Sequence, residues 1–429
     1  MSEMAHQSAF VRHVALPERA PPSGEAGPVR WLRANLFNSW FNAVLTALIL
    51  YILVQAAIGI FPWFANASWR AGSLQECRAA GTGACFAVIN ERWQQFLFGF
   101  YPRTEYWRPI LAFLWMCAAI APVLFPNLPR RLLAATALFP FFAYWLIWGG
   151  SIWPILTALA GLGLGYLVYR AADERAGFLG AVALGALAAI LWFNFAAGPL
   201  AEALARAVPM RLPTVISRNI GGFTLTLVIG VSSITLSLPL GVLLALGRQS
   251  NLFFIRTISV GFIEFIRGVP LITLLFVASV MLAYLLPPGS SFDLVLRVVI
   301  MVTLFASAYI AEVIRGGLAA LPRGQYEAAD AMGLDYWQAM RLIVLPQALK
   351  ISIPGIVNVF IGLFKDTTLV AIIGLLDPLG LTTAVRATSE WNGVIWELYG
   401  FVALIFFVFC YGMSQYSQHL ERRLRTGRG

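Results

Sequence analysis

Apolar runs of about 18 or more residues recur along the whole of this chain, and each is long enough to cross roughly 30 Å of hydrocarbon. Of its 429 residues, 59% are hydrophobic and 12% charged, with a mean hydropathy of +0.77. A soluble domain carries roughly twice that charged fraction. The chain therefore reads as an all-α polytopic membrane protein. Met1 to Arg33 is polar, Pro-rich and Arg-bearing, without the short apolar core of a cleavable signal peptide.

The pattern predicts about ten spans. The first runs roughly Trp40–Phe61, and a long polar segment follows it. Four more lie near Trp107–Phe125, Leu132–Trp148, Trp153–Tyr169 and Phe178–Phe195, of which Leu132–Trp148 and Trp153–Tyr169 read either as two spans or as one re-entrant pair. A second group lies near Gly221–Leu246, Ile258–Leu286, Leu294–Ile314, Ile351–Leu376 and Leu398–Tyr416. The expected organisation is a cytoplasmic tail (1–39), a membrane extension (40–219) with a periplasmic loop near 63–106, a second membrane region (220–420) and a basic cytoplasmic tail (421–429).

The net charge of +10 comes almost wholly from arginine, since Lys350 and Lys365 are the two lysines. The basic residues sit in loops beside spans, not on one soluble face, so they read as topology signals and not as a nucleic-acid surface. Arg12, Arg19, Arg30, Arg33, Arg130, Arg131, Arg170, Arg175, Arg248, Arg256, Arg315, Arg323, Arg341, Lys350 and the tail up to Arg428 fall on one side. Both termini are then inside the cell. One loop disagrees, because 63–107 would be outside yet holds Arg70, Arg78, Arg92 and Arg103, with Arg108 directly after it. Long loops weigh less in this rule. The same loop holds Cys77 and Cys85, which read as a disulfide in an oxidising compartment or as two free thiols. Cys117 and Cys410 fall within spans and read as packing residues.

Catalytic chemistry is hard to build from this inventory. His6, His13 and His419 all lie near the termini, and no His/Cys/Glu cluster has metal-ligand spacing. Lys350 follows Leu349 and Lys365 follows Phe364, so neither lysine sits in a phosphate-binding P-loop, which needs Gly before Lys. The expectation is that this chain binds no metal or cofactor. If ATP drives it, ATP and Mg belong to another chain.

The most informative stretch is Gly324 to Pro346, GQYEAADAMGLDYWQAMRLIVLP. Glu327-Ala328-Ala329 opens a short helix whose small residues permit close approach of a partner. Gly333 ends it, because glycine enters the left-handed conformation without steric cost. Asp335 is placed to cap the next helix, with Gln338 as its capping-box partner. Trp337, Met340, Leu342 and Ile343 supply apolar surface, and Pro346 stops or kinks the run. Two readings fit: a helix–turn–helix platform projecting from the membrane, or an amphipathic hairpin lying on it.

Glu327-Ala328-Ala329, three residues, Gly333, nine residues, Ile343, one residue and Leu345-Pro346 resembles the EAA loop of ABC importer permeases in full. The resemblance implies a five-helix type I permease core in which Glu327, Ala328, Ala329 and Gly333 couple to an ATPase subunit. Phe262–Leu271 (FIEFIRGVPL), Tyr309–Gly317 (YIAEVIRGG) and Phe360–Val370 (FIGLFKDTTLV) are similar to the polar amino acid permeases, over about Ile220 to Arg423. The long N-terminal half resembles the M-type permease of the general L-amino acid importers. What the resemblance implies is an inner-membrane subunit that moves L-amino acids by alternating access. It works with an ATPase dimer, a second permease and a periplasmic binding protein.

The charged residues near the spans have competing readings. Glu264 and Arg267, three apart on one helical face, form an interfacial ion pair or line the substrate pathway. Lys365, Asp366 and Thr367 lie inside a predicted span, where ionisable groups face a cavity or each other. They suit the carboxylate and ammonium of an amino acid, or hold the bundle together. Glu312 and Arg315 read as a structural or gating pair. Gly161 and Gly165 permit helix contact, and Gly268 and Pro270 are expected bend points. The rival function is an ion- or proton-coupled secondary transporter, and a membrane-bound enzyme is a weaker rival.

Overall fold

The computed structural model describes residues 27–125, 127–281, 284 and 292–425. Arg12, Arg19, Arg428, His6, His13 and the expected span end at Leu286 lie outside the described residues. The chain divides into two compact units, Met1–Ser68 with Arg78–Ala84 and Trp69–Cys77 with Cys85–Gly429.

Residues 27–68 of the first unit are mainly helical: α1 (Pro28–Asn35) and α2 (Trp40–Ala65). Ser39 caps α2 by accepting from the Asn42 amide at 3.2 Å. This helix is apolar on every face and buries none of its side chains, which suits a helix solvated by hydrocarbon.

Chain order continues with α3 (Leu74–Ala80), α4 (Ala87–Phe98), α5 (Trp107–Leu124), α6 (Leu133–Trp148), α7 (Trp153–Leu191), α8 (Ala197–Ala207) and α9 (Gly222–Gln249). Then come α10 (Phe253–Gly268), α11 (Leu271–Phe276), α12 (Leu294–Ala319), α13 (Gly324–Ala331), α14 (Tyr336–Ala339), α15 (Leu345–Asp366), α16 (Pro378–Arg386) and α17 (Trp396–Arg425). The strands β1 (Gly150–Ser151) and β2 (Arg211–Leu212) pair antiparallel, with Gly150 opposite Leu212. Among the described residues nine helices are long and apolar enough to cross a membrane, and ten segments are if a bent pair is counted as one.

That bent pair falls in the segment expected at Ile258–Leu286, with its break at the expected bend points Gly268 and Pro270. Helices α10 and α11 meet at 101°. Pro270 starts the new direction: it has no amide to continue α10, and it drives Val269 into extended backbone at φ −110°, ψ 132°. The possible re-entrant pair is instead two full helices, α6 and α7, separated by Gly149–Ile152. Helix α7 continues past Tyr169, but Gly177 at φ +66° reverses its course, so 153–175 and 180–207 act as two spans. These halves touch where Gly165 faces Gly185: a Cβ on Gly165 would stand 2.9 Å from the Gly185 carbonyl oxygen. Gly161 abuts Trp192 in the same seam.

Helix α12 is the most enclosed span, packed along α9 and α15 and touching α10. Its inward residues, Val298, Val302, Ala306, Ala311 and Ile314, are buried. Helices α5 and α6 pack as a pair and join this core through Ala112, Leu146 and Ile147. The burial of Arg108 gives the reason why one arginine runs against the expected charge bias. Its guanidinium is fully buried and donates to the carbonyls of Leu146 (2.6 Å) and Pro213 (2.8 Å), with Glu105 at 3.6 Å. It closes the carbonyl end of α6 and is therefore a structural clamp, not a topology signal.

Candidate functional site

The chain leaves α12 and enters the Gly324–Pro346 loop at once. Helix α13 ends in a Schellman arrangement: Leu334 N–H donates to Ala329 O at 3.2 Å and Gly333 N–H to Asp330 O at 3.0 Å. Gly333 sits at φ +71° with nothing within 4 Å of where a Cβ would lie. Its importance is conformational, since the sharp turn needs a left-handed residue. Asp335 then caps α14: its carboxylate accepts from the Gln338 amide (2.9 Å), and the Gln338 side chain accepts from the Asp335 amide (3.2 Å).

The exposed face of this loop differs from the face expected. Glu327, Ala328 and Gly333 are exposed, but Ala329 is fully buried and supports the helix from beneath. Met340, expected on the surface, packs among Ile314, Leu318, Val344 and Ala348. Met332, 76% exposed, and Tyr336 take its place beside Trp337 and Leu342. The signal for Met332 was its position just before the turn glycine, where a side chain projects away from both helices. Trp337 also meets the ring of Phe178 at 6.4 Å, immediately after the Gly177 reversal. The turn at Gly177 and Phe178 therefore reaches this loop.

Close to this loop, at the end where α9 and α12 finish, five charged groups interlock. Arg248 pairs with Glu264 (2.9 Å) and Glu312 (3.3 Å), and Arg267 pairs with Glu312 (3.6 Å). The Arg315 Nε donates to Glu312 at 2.6 Å. Arg267 also lies 5.6 Å from the Tyr309 ring centre. Glu264 and Arg267 thus do not pair with each other among the described residues, although their spacing allows it. Arg248 and Glu312 from neighbouring helices capture them instead. Glu312 is the hub, and the cluster ties together the ends of α9, α10 and α12.

Helix α15 ends at Asp366 and tightens into a 3₁₀ turn over Thr367–Ile373. Thr367 Oγ1 donates to Phe364 O and Thr368 Oγ1 to Lys365 O, each at 2.8 Å, so both hydroxyls serve the local backbone. Lys365 is exposed and Asp366 half-buried, and neither forms a salt bridge among the described residues. The bundle-holding ion pair that the sequence allowed is not formed there.

Cys77 on α3 and Cys85 just before α4 are joined as a disulfide, with Cα atoms 5.7 Å apart. Both are buried against Trp391, Leu381 and Leu398, and Cys85 N–H donates to Glu397 at 2.9 Å. Nearby Asp377 caps α16 through the amides of Leu379 and Gly380. Burial raises its carboxyl to about 6 despite those donors. No group of three or more His, Cys, Asp or Glu that could hold a metal occurs among the described residues.

Residues 237–426 match the family described as binding-protein-dependent transport system inner membrane component. The glutamate/glutamine/aspartate/asparagine transport system permease protein BztC of Rhodobacter capsulatus is 55% identical over 427 residues, covering 97% of this chain and 98% of that protein. The chain belongs to the amino-acid ABC transporter permeases. The inner membrane amino-acid ABC transporter permease protein YhdY of Escherichia coli is likewise similar along its length, at 39% identity over 416 residues, 96% of this chain and 97% of that protein. The probable glutamine ABC transporter permease protein GlnM of Bacillus subtilis matches 48% of this chain and 94% of its own length at 34% identity.

This permease is accordingly a transport-pathway subunit and not an enzyme. Its family works with an ATPase partner and a binding protein. Among these relatives nothing supports an ion- or proton-coupled transporter. The helical architecture and the family match agree on a polytopic membrane protein with a type I permease region in its C-terminal part.

Proposed function

We propose that this permease carries amino acids of the glutamate, glutamine, aspartate and asparagine group inward by alternating access, with Lys365 and Asp366 on the substrate path. The observation that carries this reading is a pair of charges, without salt-bridge partners among the described residues, at the point where α15 changes from α to 3₁₀ geometry. A zwitterion needs a cation near its carboxylate and an acceptor near its ammonium. Thr367 supports the turn through the Phe364 carbonyl instead of touching substrate. The full-length relative that names these four amino acids supports the choice of substrate.

In this reading both termini are cytoplasmic, the region from 220 to 420 forms the permease domain, and 40–219 is an extension beside it. A partner ATPase dimer holds ATP and Mg and docks on the coupling loop through Glu327, Ala328, Met332 and Trp337. A homologous second permease completes the pathway, and a periplasmic binding protein delivers substrate to the outer face. Glu264 and Arg267 belong to the latch around Glu312, where they hold the inner end closed between cycles.

Uptake by the reconstituted importer tests the substrate assignment. Lys365→Ala and Asp366→Asn each raise the substrate concentration needed for half-maximal uptake, while ATPase subunits still co-purify. Unchanged concentration dependence and rate in both variants remove these residues from the pathway.

A further inference from the structure

A cavity of about 800 Å³ lies between α5 and α6 on one side and α9, α12 and α17 on the other. That is within the roughly 300–1,000 Å³ of sites that hold small molecules. Three of its walls, α5, α6 and the lining stretch of α9 from Phe223 to Leu236, lie outside the residues matched to the family. Its lining is dominated by apolar side chains, including Phe113, Met116, Ala143, Val231, Val299 and Phe409.

Its polar lining is largely spoken for. Thr224 Oγ1 donates to Leu97 O (2.9 Å) and Thr235 Oγ1 to Val231 O (2.7 Å). Trp148 Nε1 donates to Ser217 Oγ (2.8 Å), and Asp293 accepts from the amides of Val295 (2.9 Å) and Leu296 (3.3 Å). A polar solute would have to displace these bonds or leave its own groups unsatisfied in an apolar site. An amino acid in transit is therefore a poor fit, and a hydrocarbon chain is a good one.

Position favours the same occupant. Five spanning helices surround the cavity, so the medium beside it is acyl chain. Its α9 wall runs from Phe223 to Leu236, roughly 20 Å at helical rise, which exceeds half of the roughly 30 Å hydrocarbon thickness. Tyr144, Ile110 and Leu236 on its border are 55%, 45% and 53% exposed, which gives a lateral opening. Trp148 and Tyr144 stand at the end where α6 finishes and α9 begins, an arrangement suited to the polar boundary of a leaflet.

We propose that this cavity is a phospholipid site that takes one acyl chain from the leaflet facing the starts of α9 and α12. The chain fills the space between the N-terminal pair α5/α6 and the permease core, restoring the dispersion contacts that an empty void forfeits. The pair is then fastened to the core partly through lipid.

The test uses the assembled importer in vesicles of phosphatidylethanolamine and phosphatidylglycerol, with added phosphatidylcholine bearing a diazirine midway along one chain. The complex is extracted into delipidating detergent, photolysed and digested. The expected result is retained lipid adducts on peptides containing Met116, Ala143 and Val231. Ala143→Phe and Val231→Phe, which fill the cavity from opposite walls, lose those adducts several-fold, and Ala143→Ser keeps them. Adducts unchanged in both bulky variants, or no adduct in the wild-type complex after extraction, would overturn the proposal. So would a photoreactive amino acid at Ala143 that cross-links to another polypeptide segment instead of lipid. If one bulky variant fails to assemble, the other and the wild-type adduct map still decide.

Discussion

Replacing Gly333 places a Cβ on a residue held at φ +71°. Nothing lies within 4 Å of that Cβ, so no clash inside the chain contributes. The cost is the left-handed backbone itself, roughly 1–2 kcal/mol for an ordinary L-residue. Asparagine tolerates this conformation better, and a β-branched residue tolerates it worse. Loss of the turn also breaks the bonds from Leu334 to Ala329 and from Gly333 to Asp330, which orient α13 against α14. The loop therefore spends less time in the shape that docks. For Gly333→Ala the expected weakening of ATPase-subunit binding is about 5- to 30-fold, the factor that one or two kcal/mol produce. Titration of purified ATPase subunit onto the permease in nanodiscs reads this directly. The variants should rank Asn, then Ala, then Val in increasing damage. Equal damage from all three would mean that surface bulk, not backbone conformation, is what the partner senses. Wild-type binding by Gly333→Val would refute the role of the turn altogether.

Three further outcomes follow from other sites. Glu312→Gln removes the hub that Arg248, Arg267 and Arg315 share, and should raise basal ATPase activity of the reconstituted importer several-fold relative to the substrate-stimulated rate; an unchanged ratio would show that the cluster only packs. Asp377, raised to about 6 by burial, favours the folded state in its protonated form. Its contribution is full below about 3.8 and is lost as pH rises through about 6, amounting to roughly 3 kcal/mol. Thermal unfolding of Asp377→Asn should therefore be flatter than wild type between pH 4 and 7, and parallel curves would refute this. Cys77→Ser opens the loop between residues 8 apart and should cost about 2.5 kcal/mol. Maleimide labelling of denatured protein should count two thiols in the wild type before reduction and four after, and four before reduction would deny the disulfide.

Much of the fold could be read from the sequence because it depends on short-range rules. Hydrocarbon leaves a backbone no partners but its own, so the apolar runs at Trp40–Ala65, Gly222–Gln249 and Leu294–Ala319 became helices wherever they occurred. The Gly324–Pro346 loop was also legible, since Gly333 and the Asp335–Gln338 box act over five residues or fewer. Tertiary structure decided which side of each element faces what. Ala329 and Met340 turned inward, and Met332 outward, because burial is set by α12 and α15 and not by the loop's own pattern. Glu264 and Arg267 were near enough to pair, yet Arg248 and Glu312 sat closer once α9, α10 and α12 converged. Arg108 looked like a loop charge until the end of α6 and Pro213 supplied carbonyls for it. The cavity between α5, α6 and the core had no signature at all. In a membrane, residues facing lipid and residues facing protein are both apolar, so the sequence specifies that a helix spans and leaves its neighbours to the fold.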